Sequence, residues 1–138
     1  MREITYKLTK EVDLQQLVRL YRTAGWWSEK NDKIEFLADL VKRTFLFLAA
    51  YDGDELIGMG RSISDGVSDA YIQDVTVLPE YRKQGIGGMI VRTLVENLRS
   101  RGINWIGLIG EPGTQHFYEE LGFTIMKDYI PMHYKGNK

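Results

Sequence analysis

Cysteine is absent from all 138 residues. The chain therefore has no disulfide, no thiolate metal ligand and no thiol nucleophile, and a cysteine-free composition agrees with a reducing compartment. Histidine is nearly as scarce: His116 and His133 are the only two, too few for a His-rich zinc site, so no metal is expected. Neither sign of charge prevails. The 18 Lys and Arg against 19 Asp and Glu leave a net charge of −1, and without an overall basic field nucleic acid is not an expected partner. Long apolar runs are also missing. The opening Met1-Arg2-Glu3-Ile4-Thr5-Tyr6 alternates instead of forming a signal-type stretch, so a cytoplasmic location with no membrane partner is expected.

What is present reads as one domain over residues 1–138, with a disordered tail at 135–138. Ile4, Tyr6 and Leu8 alternate as a first strand. Leu14, Leu17, Val18 and Tyr21 fall at helical spacing up to Gly25, and a second helix carries Ile34, Leu37, Leu40 and Val41, with Asp32 as its expected cap. Three strands follow as a meander: Phe45 to Tyr51, Leu56 to Ser64 and Asp69 to Val77, with turns at Asp52-Gly53-Asp54 and Asp65-Gly66. A third helix runs from Ile86 through Leu98 to a C-cap at Gly102, then a buried strand at Trp105 to Ile109. Pro112 opens a short helix ending at Gly122. Phe123, Ile125 and Tyr129 begin a last strand, continued by Met132-His133-Tyr134 at a sheet edge. The order β-α-α-β-β-β-α-β-α-β predicts a mixed α/β or α+β sheet with helices packed on it.

The most informative stretch is Leu78-Pro79-Glu80-Tyr81-Arg82-Lys83-Gln84-Gly85-Ile86-Gly87-Gly88. A basic turn and a run of glycines join a strand to a helix start. Such a junction offers free N–H groups and the positive end of the helix dipole to a phosphate. It is not a Walker loop, because no Gly-Lys-Ser/Thr triplet occurs. The dinucleotide fingerprint fails at Ile90, where its third glycine belongs.

Arg82-Lys83-Gln84-Gly85-Ile86-Gly87 instead resembles the Gln/Arg-x-x-Gly-x-Gly/Ala loop of the GNAT superfamily of acyl-CoA-dependent N-acetyltransferases. Asp74-Val75-Thr76-Val77-Leu78-Pro79-Glu80-Tyr81 resembles that family's central strand and its exit. Phe117-Tyr118-Glu119-Glu120-Leu121-Gly122-Phe123 resembles its second signature, at the matching separation. The resemblance implies a mixed, mostly antiparallel sheet flanked by helices, with splayed central strands. It also implies acetyl-CoA as cosubstrate. The backbone of Lys83, Gln84, Gly85, Ile86, Gly87 and Gly88 would hold the pyrophosphate, with charge added by Arg82 and Lys83. The main chain of Val75, Thr76 and Val77 would pair with the pantetheine arm. Tyr118 would stand by the thioester sulfur and protonate the leaving thiolate.

The strand Tyr71-Ile72-Gln73-Asp74-Val75-Thr76-Val77 is locally similar to that of glucosamine-phosphate acetyltransferases, but Gln73 stands where their pattern has a glutamate. A neutral amide is no base. Asp74 and Glu111 are left as candidates for orienting the amine or relaying its proton. Without a thiol nucleophile, direct attack by the amine in a ternary complex is the simpler route, with the oxyanion held by a strand N–H near Val75. Trp26 and Trp27, in the loop after the first helix, are candidate walls of the acceptor site, with Tyr71 and with Arg61, Ser62 and Ser64 of the third strand. The expected acceptor is a small-molecule primary amine. A protein or peptide acceptor and a non-catalytic acyl-CoA sensor are the alternatives, and a homodimer paired through Met132 to Tyr134 is a further expectation.

Overall fold

The computed structural model describes residues 3–136 and divides into two compact units, Met1–Leu108 and Ile109–Lys138. The first holds a five-stranded sheet in the order β1-β2-β3-β4-β5: β1 Ile4–Leu8, β2 Leu46–Asp52, β3 Glu55–Ser64, β4 Asp69–Val77 and β5 Trp105–Leu108. The first four strands are antiparallel neighbours, and β5 runs parallel to β4. The sheet is thus mixed and mostly antiparallel.

Three helices accompany it: α1 Leu14–Thr23, α2 Ile34–Arg43 and α3 Ile86–Ser100. Asp13 caps α1 through a bond from the Gln16 N–H at 3.0 Å. The cap of α2 is Lys33, not the expected Asp32. Asp32 instead accepts the Ser28 N–H at 2.7 Å and closes the preceding turn. Successive residues of β3 face opposite ways, and both sides are sealed. Gly58 and Gly60 face Ile90 of α3, while Ile57 and Met59 on the other side are fully buried, with α1 packed on this strand. The core joins Leu17 and Leu20 of α1, Leu37 of α2, Phe47 and Leu48 of β2, and Ile90, Leu94 and Leu98 of α3.

The second unit contains α4, Gln115–Glu119. Pro112 lies before this helix and not in it, and Thr114 is its N-cap. The strand expected at 123–134 does not form. Pro131 has no N–H to give a ladder, Asp128 takes a φ of +69°, and no described strand pairs with this segment. His133, expected to pack at a sheet edge, is exposed. Of the expected tail, Lys135 and Gly136 are exposed and irregular, and 137–138 lie outside the described residues.

Candidate active site

β4 pairs with β5 only from Asp69 to Ile72, against Trp105 to Leu108. β5 ends there, and from Gln73 onward no described strand pairs with that edge of β4. On its other side β4 stays on β3, but the register slips: Arg61 faces Gln73 and Met59 faces Thr76. Gly60 therefore stands opposite both Asp74 and Val75, which makes a β-bulge at that point.

Asp74 occupies the bulge with φ +55°, a left-handed conformation that costs a non-glycine residue energy. Its carboxylate explains why the conformation holds. Oδ2 accepts from Arg61 Nε at 2.7 Å and from the Tyr21 hydroxyl at 2.7 Å. The Arg61–Asp74 pair is largely shielded, with side-chain exposures of 14% and 22%. Arg61 also reaches Thr44 Oγ1 and Gln73 Oε1, each at 3.4 Å. Tyr21 is buried, and its ring meets Trp26 edge-on at 5.5 Å. Burial, and then the neighbouring Asp74 carboxylate, push its phenol far above the ordinary value. Tyr21 therefore acts as a donor and not as a base.

The glycine-rich loop follows β4 through a single turn at Pro79–Tyr81. Tyr81 is buried and donates to Asp52 Oδ2 at 2.6 Å and to Glu55 Oε1 at 3.2 Å, which ties the loop to the β2–β3 hairpin. Those carboxylates, Asp52 first, push its phenol up to about 12. Residues 82–85 are exposed. Lys83 and Gly85 take φ of +62° and +80°, so the backbone turns sharply into α3. Gly85 is the N-cap and has no side chain to cap with, and Met89 is the first residue to bond inside the helix, onto the Gly85 carbonyl at 3.1 Å. The N–H groups of Ile86, Gly87 and Gly88 precede that bond. No acidic residue occupies the first turn. Main-chain N–H groups at such a helix start can hold an anion.

Arg82 donates Nε to the Val77 carbonyl at 2.9 Å, so this carbonyl, expected to be open to a ligand, already has a donor. Ser62, expected on a site wall, is fully buried and its hydroxyl has no protein partner. Ser64 bridges the β3–β4 turn, donating to the Asp69 carbonyl at 2.6 Å and accepting from the Gly66 N–H at 2.9 Å. Tyr71 is exposed and edge-on to Trp105 at 5.4 Å. Trp26 and Trp27 are both half-buried. A groove of about 410 Å³, lined in part by Phe36, Asp39, Arg43, Phe45 and Ile63, has Arg61 in its wall. Arg61 thus links this groove to Asp74.

In the second unit, Tyr118 is half-buried between the rings of Phe117 and Phe123, at centroid distances of 4.8 and 5.9 Å. Burial first, then the charge of Glu111, raises its phenol above the ordinary value. Glu111 is exposed, and its carbonyl accepts from both the backbone and the hydroxyl of Thr114. Among the described residues, no group of acidic and histidine side chains is placed to hold a metal ion.

Comparison with known proteins identifies the family. The model of the acetyltransferase (GNAT) family matches residues 8–123. The chain belongs to this family. A protein named uncharacterized N-acetyltransferase ycf52 from Gracilaria tenuistipitata var. liui is 34% identical over 120 residues, covering 86% of this chain and 66% of its own. A protein of Glycine max named a histone acetyltransferase is 31% identical over 132 residues, covering 88% of this chain and 56% of its own. The chain thus spans between half and two thirds of the length of these two relatives. The solved GNAT-family acetyltransferase of Streptococcus pneumoniae TIGR4 superposes with a TM-score of 0.83 at 28% identity, covering 99% of this chain and 100% of that one. The mixed sheet and its helices are therefore a GNAT fold.

Sequence reasoning did not find the Tyr21–Asp74–Arg61 knot. Tyr21 read only as the last apolar position of the α1 stripe, and Arg61 as a lining residue. Nothing in the one-dimensional pattern pairs residues 53 positions apart.

Proposed function

We propose that the chain catalyses acetyl transfer from acetyl-CoA to the primary amine of a small molecule, by direct attack in a ternary complex. One observation carries this reading: the β4 edge opens after Ile72, and an anion cradle built on Lys83 to Gly88 follows on the same strand. The cradle suits the pyrophosphate, and the open edge suits the amide-bearing pantetheine arm, with Val75 and Thr76 supplying main-chain partners. The amine nitrogen attacks the thioester carbonyl carbon. A strand N–H near Val75 holds the oxyanion. Collapse breaks the carbon–sulfur bond, and the thiolate takes the proton of the Tyr118 hydroxyl, a phenol whose raised pKa keeps it protonated at neutral pH. An alkylamine, like Lys at ~10.4, arrives mainly as ammonium, and Asp74 and Glu111 orient it and relay its proton. Trp26, Trp27 and Tyr71 wall the acceptor side. We place the reaction in the cytoplasm and the protein as a homodimer; no helix among the described residues is long and apolar enough to cross a membrane.

A peptide acceptor is the second reading, favoured by the name of the Glycine max relative. Thiol release from acetyl-CoA over amino sugars, polyamines, aralkylamines, amino acids and short peptides separates the two. Turnover with a free amine supports the first. Transfer to peptides alone replaces it with the second, and acetyl-CoA binding with no transfer to any amine or peptide rejects both.

A further inference from the structure

Arg61 and Asp74, both in the first unit, leave complementary groups unused. The two side-chain donors to Asp74 both fall on Oδ2. Oδ1 has no side-chain partner among the described residues, and it is not among the buried unpaired atoms, so it reaches solvent. On Arg61, Nε is taken by Asp74, while the terminal nitrogens make only long contacts, to Thr44 Oγ1 and Gln73 Oε1, each at 3.4 Å. Gln73 stands opposite Arg61 across the strand pair and is neutral. The guanidinium fork therefore holds one carboxylate and has donors in place for a second.

The groove of about 410 Å³ that has Arg61 in its wall lies wholly in the same unit. Phe36 and Leu40 of α2, Phe45 before β2 and Ile63 of β3 give it apolar sides. Phe36 and Ile63 are 54% and 43% exposed, so a ligand in the groove would cover apolar surface that water now wets. Its size is that of a small-molecule site. Asp39 and Arg43, the other charged lining residues, carry opposite signs and offset each other.

We infer that the acceptor is a free α-amino acid with an apolar side chain: Asp74 Oδ1 takes its ammonium, the terminal nitrogens of Arg61 take its carboxylate, and the groove takes its side chain. The inference rests on the acetyl-transfer reading and names the acceptor for it. Charge selects this class. Arg61 and Asp74 already neutralise each other in a largely shielded place. An ammonium added alone leaves that place with an uncompensated positive charge, which is costly. An amine with a carboxylate on the neighbouring carbon brings both signs and leaves the set neutral, with each charge hydrogen-bonded to its opposite. A peptide N-terminus offers an amide carbonyl there and does not restore the balance. The neutral Gln73 belongs to the same arrangement, since a glutamate at that position would compete for the donors that the acceptor carboxylate needs.

The test gives the whole chain acetyl-CoA with L-phenylalanine, 2-phenylethylamine, L-phenylalaninamide or glycine, and reads kcat/KM from thiol release with the product confirmed by mass. The expected value for phenylalanine exceeds each of the others by about 10–100-fold, the scale of one charge-assisted pair or of one buried apolar side chain. Equal or better use of 2-phenylethylamine or phenylalaninamide overturns the proposal and leaves acetyl transfer standing. Equal use of glycine takes the groove out of recognition and also overturns it. Transfer to none of them overturns it too, and transfer to another amine or peptide of the wider panel then shows whether acetyl transfer itself survives. Gln73→Glu is expected to bring the ratio of phenylalanine to 2-phenylethylamine down to about 1 by occupying Arg61. A merely structural role for Gln73 would lower both acceptors alike, and a ratio that stays unchanged overturns the assignment of the carboxylate to Arg61. The comparison of acceptors on the unaltered chain needs no variant, so a misfolded mutant does not blur it.

Discussion

Asp74 shows how one side chain sets a site. Its left-handed backbone is unfavourable alone, and two donors on one carboxylate oxygen hold it. Asp74→Ala removes both partners, leaves Arg61 charged and shielded, and puts a Cβ residue without a local hydrogen bond at positive φ. The expected loss is about 2–4 kcal/mol, read from urea unfolding. Asp74→Asn keeps the Tyr21 bond and tolerates the left-handed region, so its loss is the smaller of the two; equal losses would mean that charge, and not shape, holds the bulge. In the proposed mechanism Tyr118 is the proton donor to the leaving thiolate. Tyr118→Phe is expected to leave CoA affinity unchanged and to lower kcat by about 10²-fold, the scale of general-acid catalysis. Unchanged turnover would remove Tyr118 from the mechanism.

Among the elements, the β3–α3 contact is the most constrained. A Cβ at Gly60 would lie 2.6 Å from Ile90 Cγ2 and 3.1 Å from Leu94 Cδ1. Gly60→Ala therefore forces α3 away from the bulge, with an expected cost of about 1–3 kcal/mol and a lowered Tm in thermal unfolding. Gly58 and Gly60 inside an apolar strand read as a close backbone approach or a bulge, and Gly60 has both. Most elements were legible because their periodicity and punctuation agree: the meander is bounded by Gly53 and Gly66, and α3 ends before Gly102. The strand at 123–134 was misread because alternation records which faces want burial and not which edge provides it. The sharp turn into α3 was legible from its glycines, since backbone freedom is written in residue type. The left-handed Asp74 was not, because it owes its conformation to Tyr21 and Arg61, distant in sequence.

For the whole molecule, the tyrosines set an alkaline limit. Tyr21 and Tyr81 have folded-state values raised above the ordinary 10.0, Tyr81 to about 12. Above pH 10 the unfolded chain ionises these phenols while the folded chain keeps them protonated, so stability is full below pH 10 and falls as pH rises toward 12. Urea midpoints measured from pH 8 to pH 12 are expected to decline over that window, and to decline less in Tyr81→Phe. We propose that the loop entering α3 holds the pyrophosphate of coenzyme A. The deciding experiment is calorimetric titration of CoA into the unaltered chain and into Gly87→Asp. Binding to the first and none to the second, with the circular dichroism of both alike, is the predicted result. Equal binding to both would contradict the cradle, and no binding to either would contradict the account of the site as a whole.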